Sequence, residues 1–210
     1  MTRGATRFGS HNGKTMNTVC TEPVGHRSIM ATFAEPFEML EACHDRVRRS
    51  LALLERLIGH LRSHGHGVQA REAACDVMRY FDIAAPLHHQ DEERHVFPRL
   101  DASDDPQLVA LARRLRADHR RIEAQWWVLW PLLEQIARGR SVALEELDAA
   151  ARRFTDLHSE HIRLEELIAF PSARIAVVCE GADAMRAMGA EMAARRGSAG
   201  PTPPAGRGSR

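Results

Sequence analysis

Residues 88–98 read HHQDEERHVFP and residues 161–171 read HIRLEELIAFP. A histidine, two adjacent glutamates, a phenylalanine and a proline recur at the same offsets, and Phe81 and Phe154 each stand seven residues upstream of the motif. A second pair of histidines, His44 and His119, lies 75 residues apart, against 73 for His88 and His161. The chain therefore reads as two helical hairpins related by a pseudo-twofold. Each gives one histidine from its first helix and His-x-x-x-Glu from its second. Histidine and glutamate at i and i+4 share a helix face, so His88/Glu92 and His161/Glu165 can each grip one site.

Four long segments carry apolar residues at alternating steps of three and four, the seam of a packed bundle. The first begins near Pro36 and fades at Gly65 and Gly67, with the seam Leu40, His44, Val47, Leu51, Leu54, Ile58, Leu61. The second runs from about Gln69 to a stop at Pro98, with Val77, Phe81, Ala84, His88, Glu92 and His95. The third opens at Asp104-Asp105-Pro106, an N-cap followed by a first-turn proline, and ends near Gly139. Its seam is Leu108, Leu111, Leu115, His119, Ile122, Trp126, Leu129, Leu133, Ile136. The fourth starts after Ser141 and stops at Pro171, with Leu147, Ala151, Phe154, His158, His161, Glu165, Ile168. A shorter fifth helix covers about 173–195, and no strand alternation appears. The fold class is all-α: an up-down-up-down four-helix bundle over 34–171, a short extra C-terminal helix over 172–196, and disordered termini at 1–33 and 197–210. Residues 1–33 are acid-poor, as transit peptides are, and Met16 and Met30 offer alternative starts.

Every seam is interrupted by histidine, and two add glutamate. A bundle core favours Leu, Ile and Val, and burying imidazole or carboxylate there costs a few kcal/mol unless it is paired or bound to metal. In an antiparallel bundle the four histidines share one level. His44 follows Pro36 by 8 residues, His88 and His161 precede Pro98 and Pro171 by 10, and His119 follows Pro106 by 13. At ~1.5 Å per residue these depths are about 12–20 Å from the same end. Imidazole with carboxylate suits iron, manganese or zinc, and two symmetric carboxylates suit the bridging of two metals.

Composition narrows the field. Net charge is +1 over 210 residues, with cations spread evenly, so neither nucleic acid nor an anionic membrane is called for. No apolar run reaches the roughly 18 residues of a membrane span. The four cysteines form no C-x-x-C pair, which fits a reducing cytoplasm. Trp126, Trp127 and Trp130 are expected to pack in the core or on a homodimer face. His60, His66 and His89 are expected to face solvent or a loop, and Glu93 and Glu166, about 100° around the helix from Glu92 and Glu165, a neighbouring helix or water. Pro86 should kink the second helix beside His88.

The chain resembles the hemerythrin-like (HHE cation-binding) family. His-Asp-Arg at 44–46, His-x-x-x-Glu-Glu-x-x-x-Phe-Pro at 88–98, Asp-His-Arg at 118–120 and the second such motif at 161–171 carry the resemblance. It implies a centre of two iron ions, bridged by oxide or hydroxide, with His44, His88, Glu92, His119, His161 and Glu165 as ligands and the two glutamates as bridges. The oxygen-carrying members have His-x-x-x-His on the third helix, where this chain has His119 and then Glu123. His64, His158 or Glu123 could supply the remaining ligand, and His95 could support a ligand or only the packing. The function implied is binding or sensing of a small gaseous ligand, oxygen or nitric oxide. The alternatives are an enzyme acting on peroxide or nitric oxide, and iron handling or iron–sulfur-cluster repair. A ferritin-like site built on Glu41/His44 and Glu92/His95 leaves His88, His119 and His161 unexplained. A metal-free bundle would tolerate apolar replacement of His44 or His119.

Overall fold

A computed structural model describes residues 33–198. Helix α1 (Pro36–His64) is followed by α2 (Val68–Arg79), a wide π-turn at Tyr80–Ala84, α3 (Ala85–His95) and the short α4 (Phe97–Asp101). Then come α5 (Pro106–Ala137), α6 (Leu144–Leu164), a second π-turn at Glu165–Ala169, α7 (Phe170–Glu180) and α8 (Ala182–Ser198). No strand occurs among the described residues, and no helix is long and apolar enough to cross a membrane. Helix α1 packs on α2 and α6, and α5 packs on α2 and α6, which closes an antiparallel four-helix ring. Asp105 caps α5 through Oδ1, which accepts from the Gln107 N–H at 2.8 Å. Gly139, at φ 73°, ends it by returning its N–H to Ile136 O.

Pro171 does not stop its helix as the sequence predicts, and a widened turn stands ahead of Pro86, where a kink is expected. Pro86 and Pro171 have no N–H to give to the carbonyl four residues back, and their rings crowd it. The helix absorbs each with a π-turn just ahead: the Ala85 N–H reaches Tyr80 O and the Phe170 N–H reaches Glu165 O, each five residues back. The fourth helix thus continues through Pro171 to Glu180, and the expected fifth is α7 and α8 on either side of Gly181. Only at Pro98 does the path break, at Val96.

The extra residue in each π-turn moves the buried face on by one position. Ala85 is buried where the regular seam predicts Ala84, and Ala169 is buried where it predicts Ile168, which is 41% exposed. Helix α5 fixes the first π-turn from outside: the Trp126 and Trp130 indoles both donate to the Asp82 carboxylate, at 3.0 and 3.3 Å. Trp126 is core and Trp127 is exposed.

Two apolar clusters fill the interior. One, around Leu54, Val77, Leu129, Leu133 and Phe154, occupies the α1–α2 turn end, and the other, around Phe37, Phe97, Leu115, Phe170 and Met192, the α4 and α8 end. The histidines and glutamates lie in a layer between them. The segments expected to be disordered fall almost entirely outside the described residues, but Phe33 packs against the second cluster and Gly197 and Ser198 end α8.

Helix α8 is held by a buried ion triad. Asp91 has no exposure and receives Arg195 at 2.6 Å on one oxygen and Arg196 at 2.6 Å on the other. Arg195 also donates to His95 Nε2 at 2.7 Å, and Glu191 lies 3.5 Å from the same nitrogen. Removing both arginines leaves Asp91 as an uncompensated buried charge. Arg195→Ala with Arg196→Ala is therefore expected to cost about 3–5 kcal/mol in urea denaturation, and a loss below about 1 kcal/mol would contradict the clamp.

Candidate metal centre

Helix α1 brings His44, α3 brings His88 and Glu92, α5 brings His119, α6 brings His161 and the second π-turn brings Glu165. All six are at most 5% exposed. His88 Nε2 lies 3.0 Å from Glu92 Oε1, and His161 Nε2 lies 3.1 Å from Glu165 Oε1, so each i, i+4 pair meets as its spacing requires. The hairpins then cross over. His44 Nε2 is 3.2 Å from Glu165 Oε2 and 3.6 Å from Glu92 Oε1, while His119 Nε2 is 3.4 Å from Glu92 Oε2 and 4.0 Å from Glu165 Oε1. Two overlapping groups of metal-ligating atoms result: His44, His88, Glu92 and Glu165, and His89, Glu92, His119 and His161.

The outer ring nitrogens explain which way the imidazoles are turned. His44 Nδ1 lies 3.0 Å from Glu166 Oε1, and His119 Nδ1 lies 2.9 Å from Glu93 Oε1. An Nδ1–H donated to each carboxylate leaves the Nε2 lone pair facing inward, the orientation of a metal-bound histidine. Arg48 holds the other oxygen of Glu166 at 2.6 Å. The second glutamate of each Glu-Glu pair therefore orients the histidine contributed by the opposite hairpin's first helix. Glu93 and Glu166 thus face a neighbouring helix, as their angle predicts, and their recurrence at one offset in both motifs is the sign of a shared role.

Within the layer, several buried polar atoms have no hydrogen bond. Both Glu92 oxygens, Glu165 Oε1, and the Nδ1 atoms of His88 and His161 are buried and unpartnered. The Nε2 atoms of His119 and His161 are 3.1 Å apart, and at most one neutral ring can offer a proton there. Such lone pairs repel unless a cation stands among them. Protonation shows the same demand. Burial, the largest influence on His44, lowers its pKa, yet Glu165 and Glu92 carry it up to about 10. His119 rises to about 9 against burial, through Glu92 and Glu93. Burial pushes His88 down to about 4. Glu92 and Glu165 are held below the usual carboxylate range: burial opposes this, but the surrounding histidines prevail. Four inward imidazoles and two carboxylates with unspent lone pairs fit divalent transition-metal binding.

The remaining sequence candidates separate by position. His64 is exposed at the far end of α1, twenty residues from His44, where it stacks on His60 at 4.8 Å. At ~1.5 Å per residue it is about 30 Å from the centre and is not brought to it. Glu123 is exposed and stands on the wall of a cleft. His95 is tied to α8 and supports the clamp instead of the centre. His158 is buried beside Phe81 and Phe154, donates Nδ1–H to Phe154 O at 2.9 Å, and leaves Nε2 unpartnered, but it belongs to neither ligand group. His89, expected to face solvent or a loop, lies half-buried against His119 with its ring stacked at 3.9 Å. A cleft of about 460 Å³, lined by Phe81, Pro86, His89, Glu93, His119 and Trp126 among others, opens beside it.

A family model described as the hemerythrin HHE cation binding domain matches residues 35–173. A protein of Haemophilus influenzae, described as uncharacterized, is 35% identical over 167 residues, covering 79% of this chain and 92% of its own length. The matched residues span the bundle and every member of the buried His/Glu layer, and the chain belongs to the hemerythrin HHE cation-binding domain family.

Proposed function

We propose that the chain holds two iron ions on His44, His88, Glu92, His119, His161 and Glu165, and in the reduced state captures or senses oxygen or nitric oxide. The observation that carries this is Glu92, a carboxylate common to both ligand groups with both oxygens buried and unpartnered, as a bridge between two ions requires. When bound, iron supplies redox chemistry and affinity for small diatomic ligands. The protein supplies enclosure and orientation. His44 and Glu165 have no exposure, and Phe170 lies flat on the His44 ring at 5.1 Å, so only a very small molecule reaches that side. Glu166 and Glu93 fix the His44 and His119 rings. The apolar layers above and below exclude bulk water. The Tyr80 hydroxyl is engaged elsewhere: it donates to Cys43 O at 3.2 Å, and burial raises its pKa. A second reading, iron loading and release, has one observation in its favour: the cleft reaches His119 and Glu93.

Metal analysis of the purified protein should give two irons per chain, with charge-transfer absorption that changes on exposure to oxygen or nitric oxide. No iron, or a single zinc, would contradict the proposal. Glu93→Gln and Glu166→Gln are each expected to weaken iron binding by about 10–100-fold while leaving the helical content intact.

The metal-free protein should be most stable near pH 6.5. Above that pH an unfolded chain has released the protons that His44 and His119 keep up to about 10 and 9, so their contribution, complete below 6.5, is lost as pH rises. Below 6.5 the unfolded chain takes up protons that His88 and His158 refuse until about 4 and 3, so stability also falls with acid. Iron displaces the protons on His44 and His119, so it should stabilise more at pH 8 than at pH 6. Urea midpoints at pH 5, 6.5 and 8.5 check the profile, and a monotonic rise without metal would contradict it.

A further inference from the structure

We infer that His89 is the additional nitrogen ligand of the second metal position, in place of the histidine that the third helix lacks; the inference rests on the two-metal reading above. Adjacent residues on a helix point about 100° apart, so His88 and His89 do not serve one ion. In this bundle they serve two: His88 joins the group with His44 and Glu165, and His89 joins the group with His119 and His161. The bridge between the groups is Glu92, one turn along the same helix.

Local geometry supports this division. His89 stacks on His119 at 3.9 Å with the planes 14° apart, and lies 6.0 Å from the His161 ring. A ligating nitrogen of His89 lies within 4.8 Å of those of Glu92, His119 and His161. Its ring makes contacts with His88, His119 and His161, and no hydrogen bond among the described residues ties it elsewhere. The alternatives stand outside both groups. Glu123 is exposed on α5, His64 is a full helix length away, and His158 lies outside both groups. The His89 ring also stands on the wall of the cleft, so the second position has a ligand between it and solvent, while the first is enclosed on all sides.

The test compares wild type with His89→Ala, His158→Ala and His64→Ala after anaerobic loading with ferrous iron. Iron per chain and Mössbauer spectra are read for each, with circular dichroism to follow the fold. Wild type should hold two irons, and His64→Ala should match it. His89→Ala should lose one of the two irons, or bind it more than about 100-fold more weakly, beyond the cost of losing an outer hydrogen-bond partner. The surviving iron should keep its spectrum. A second readout needs no variant: paramagnetic proton NMR of the reduced wild type should show five shifted, solvent-exchangeable imidazole N–H signals, from His44, His88, His89, His119 and His161. Two irons with an unchanged spectrum in His89→Ala, loss confined to His158→Ala, or four such signals would overturn the assignment of His89 and leave the two-metal reading standing. A wild type that holds no iron would overturn both.

Discussion

Glu92 and Glu165 sit without solvent exposure among four imidazoles, and both Glu92 oxygens and one of the two Glu165 oxygens have no hydrogen bond. In a low-dielectric layer between two apolar clusters, that arrangement is tolerable only with positive charge at its centre. The fold is built around supplying donors to that point. Four helices deliver one ring each at one level, and the two outer glutamates hold two of the rings by Nδ1, so the direction of each donor is set before any ion arrives. The same charge demand lifts His44 and His119 to protonation well above the usual histidine range while burial keeps His88 neutral, so protons and metal ions compete for one place.

The π-turns are part of that delivery. A regular helix through Pro171 would place Ile168 on the core face. The wide turn at Glu165–Ala169 instead puts Ala169, Ala173 and Val177 inward, and so carries the second hairpin past the proline to a floor beneath the centre. Its counterpart at Tyr80–Ala84 does the same ahead of Pro86 and is held from outside by two tryptophans on one aspartate. Beyond the matched domain, α8 returns two arginines to Asp91, the residue before Glu92, which couples the C-terminal helix to the helix that carries Glu92.

Much of this was legible in the residues. The four seams, the shared depth of His44, His88, His119 and His161, and the pairing of each histidine with a glutamate four residues on all follow from helical periodicity, which is local. The register slips after Phe81 and Glu165 are not legible, because Pro86 reads as a kink and Pro171 as a stop, whereas a packed helix accommodates each by widening one turn. The angle of Glu93 and Glu166 on their own helices predicts a neighbouring helix or water, and each lies against a neighbouring helix. What they meet is a histidine on another helix, and single-helix geometry says nothing of that. His89 was missed for the same reason: its position beside His119 depends on how closely α3 and α5 approach. The link between His95 and α8 likewise depends on a helix whose docking the periodic pattern does not reveal.

The most direct measurement is an anomalous difference map at the iron edge from crystals grown with ferrous iron. Two peaks between Glu92 and Glu165, about 3.5–4 Å apart, with His44 and His88 on one and His119 and His161 on the other, are the predicted result. A single peak, or none, with the imidazoles joined to the carboxylates by ordinary hydrogen bonds, would contradict the claim that this layer is built for two metal ions.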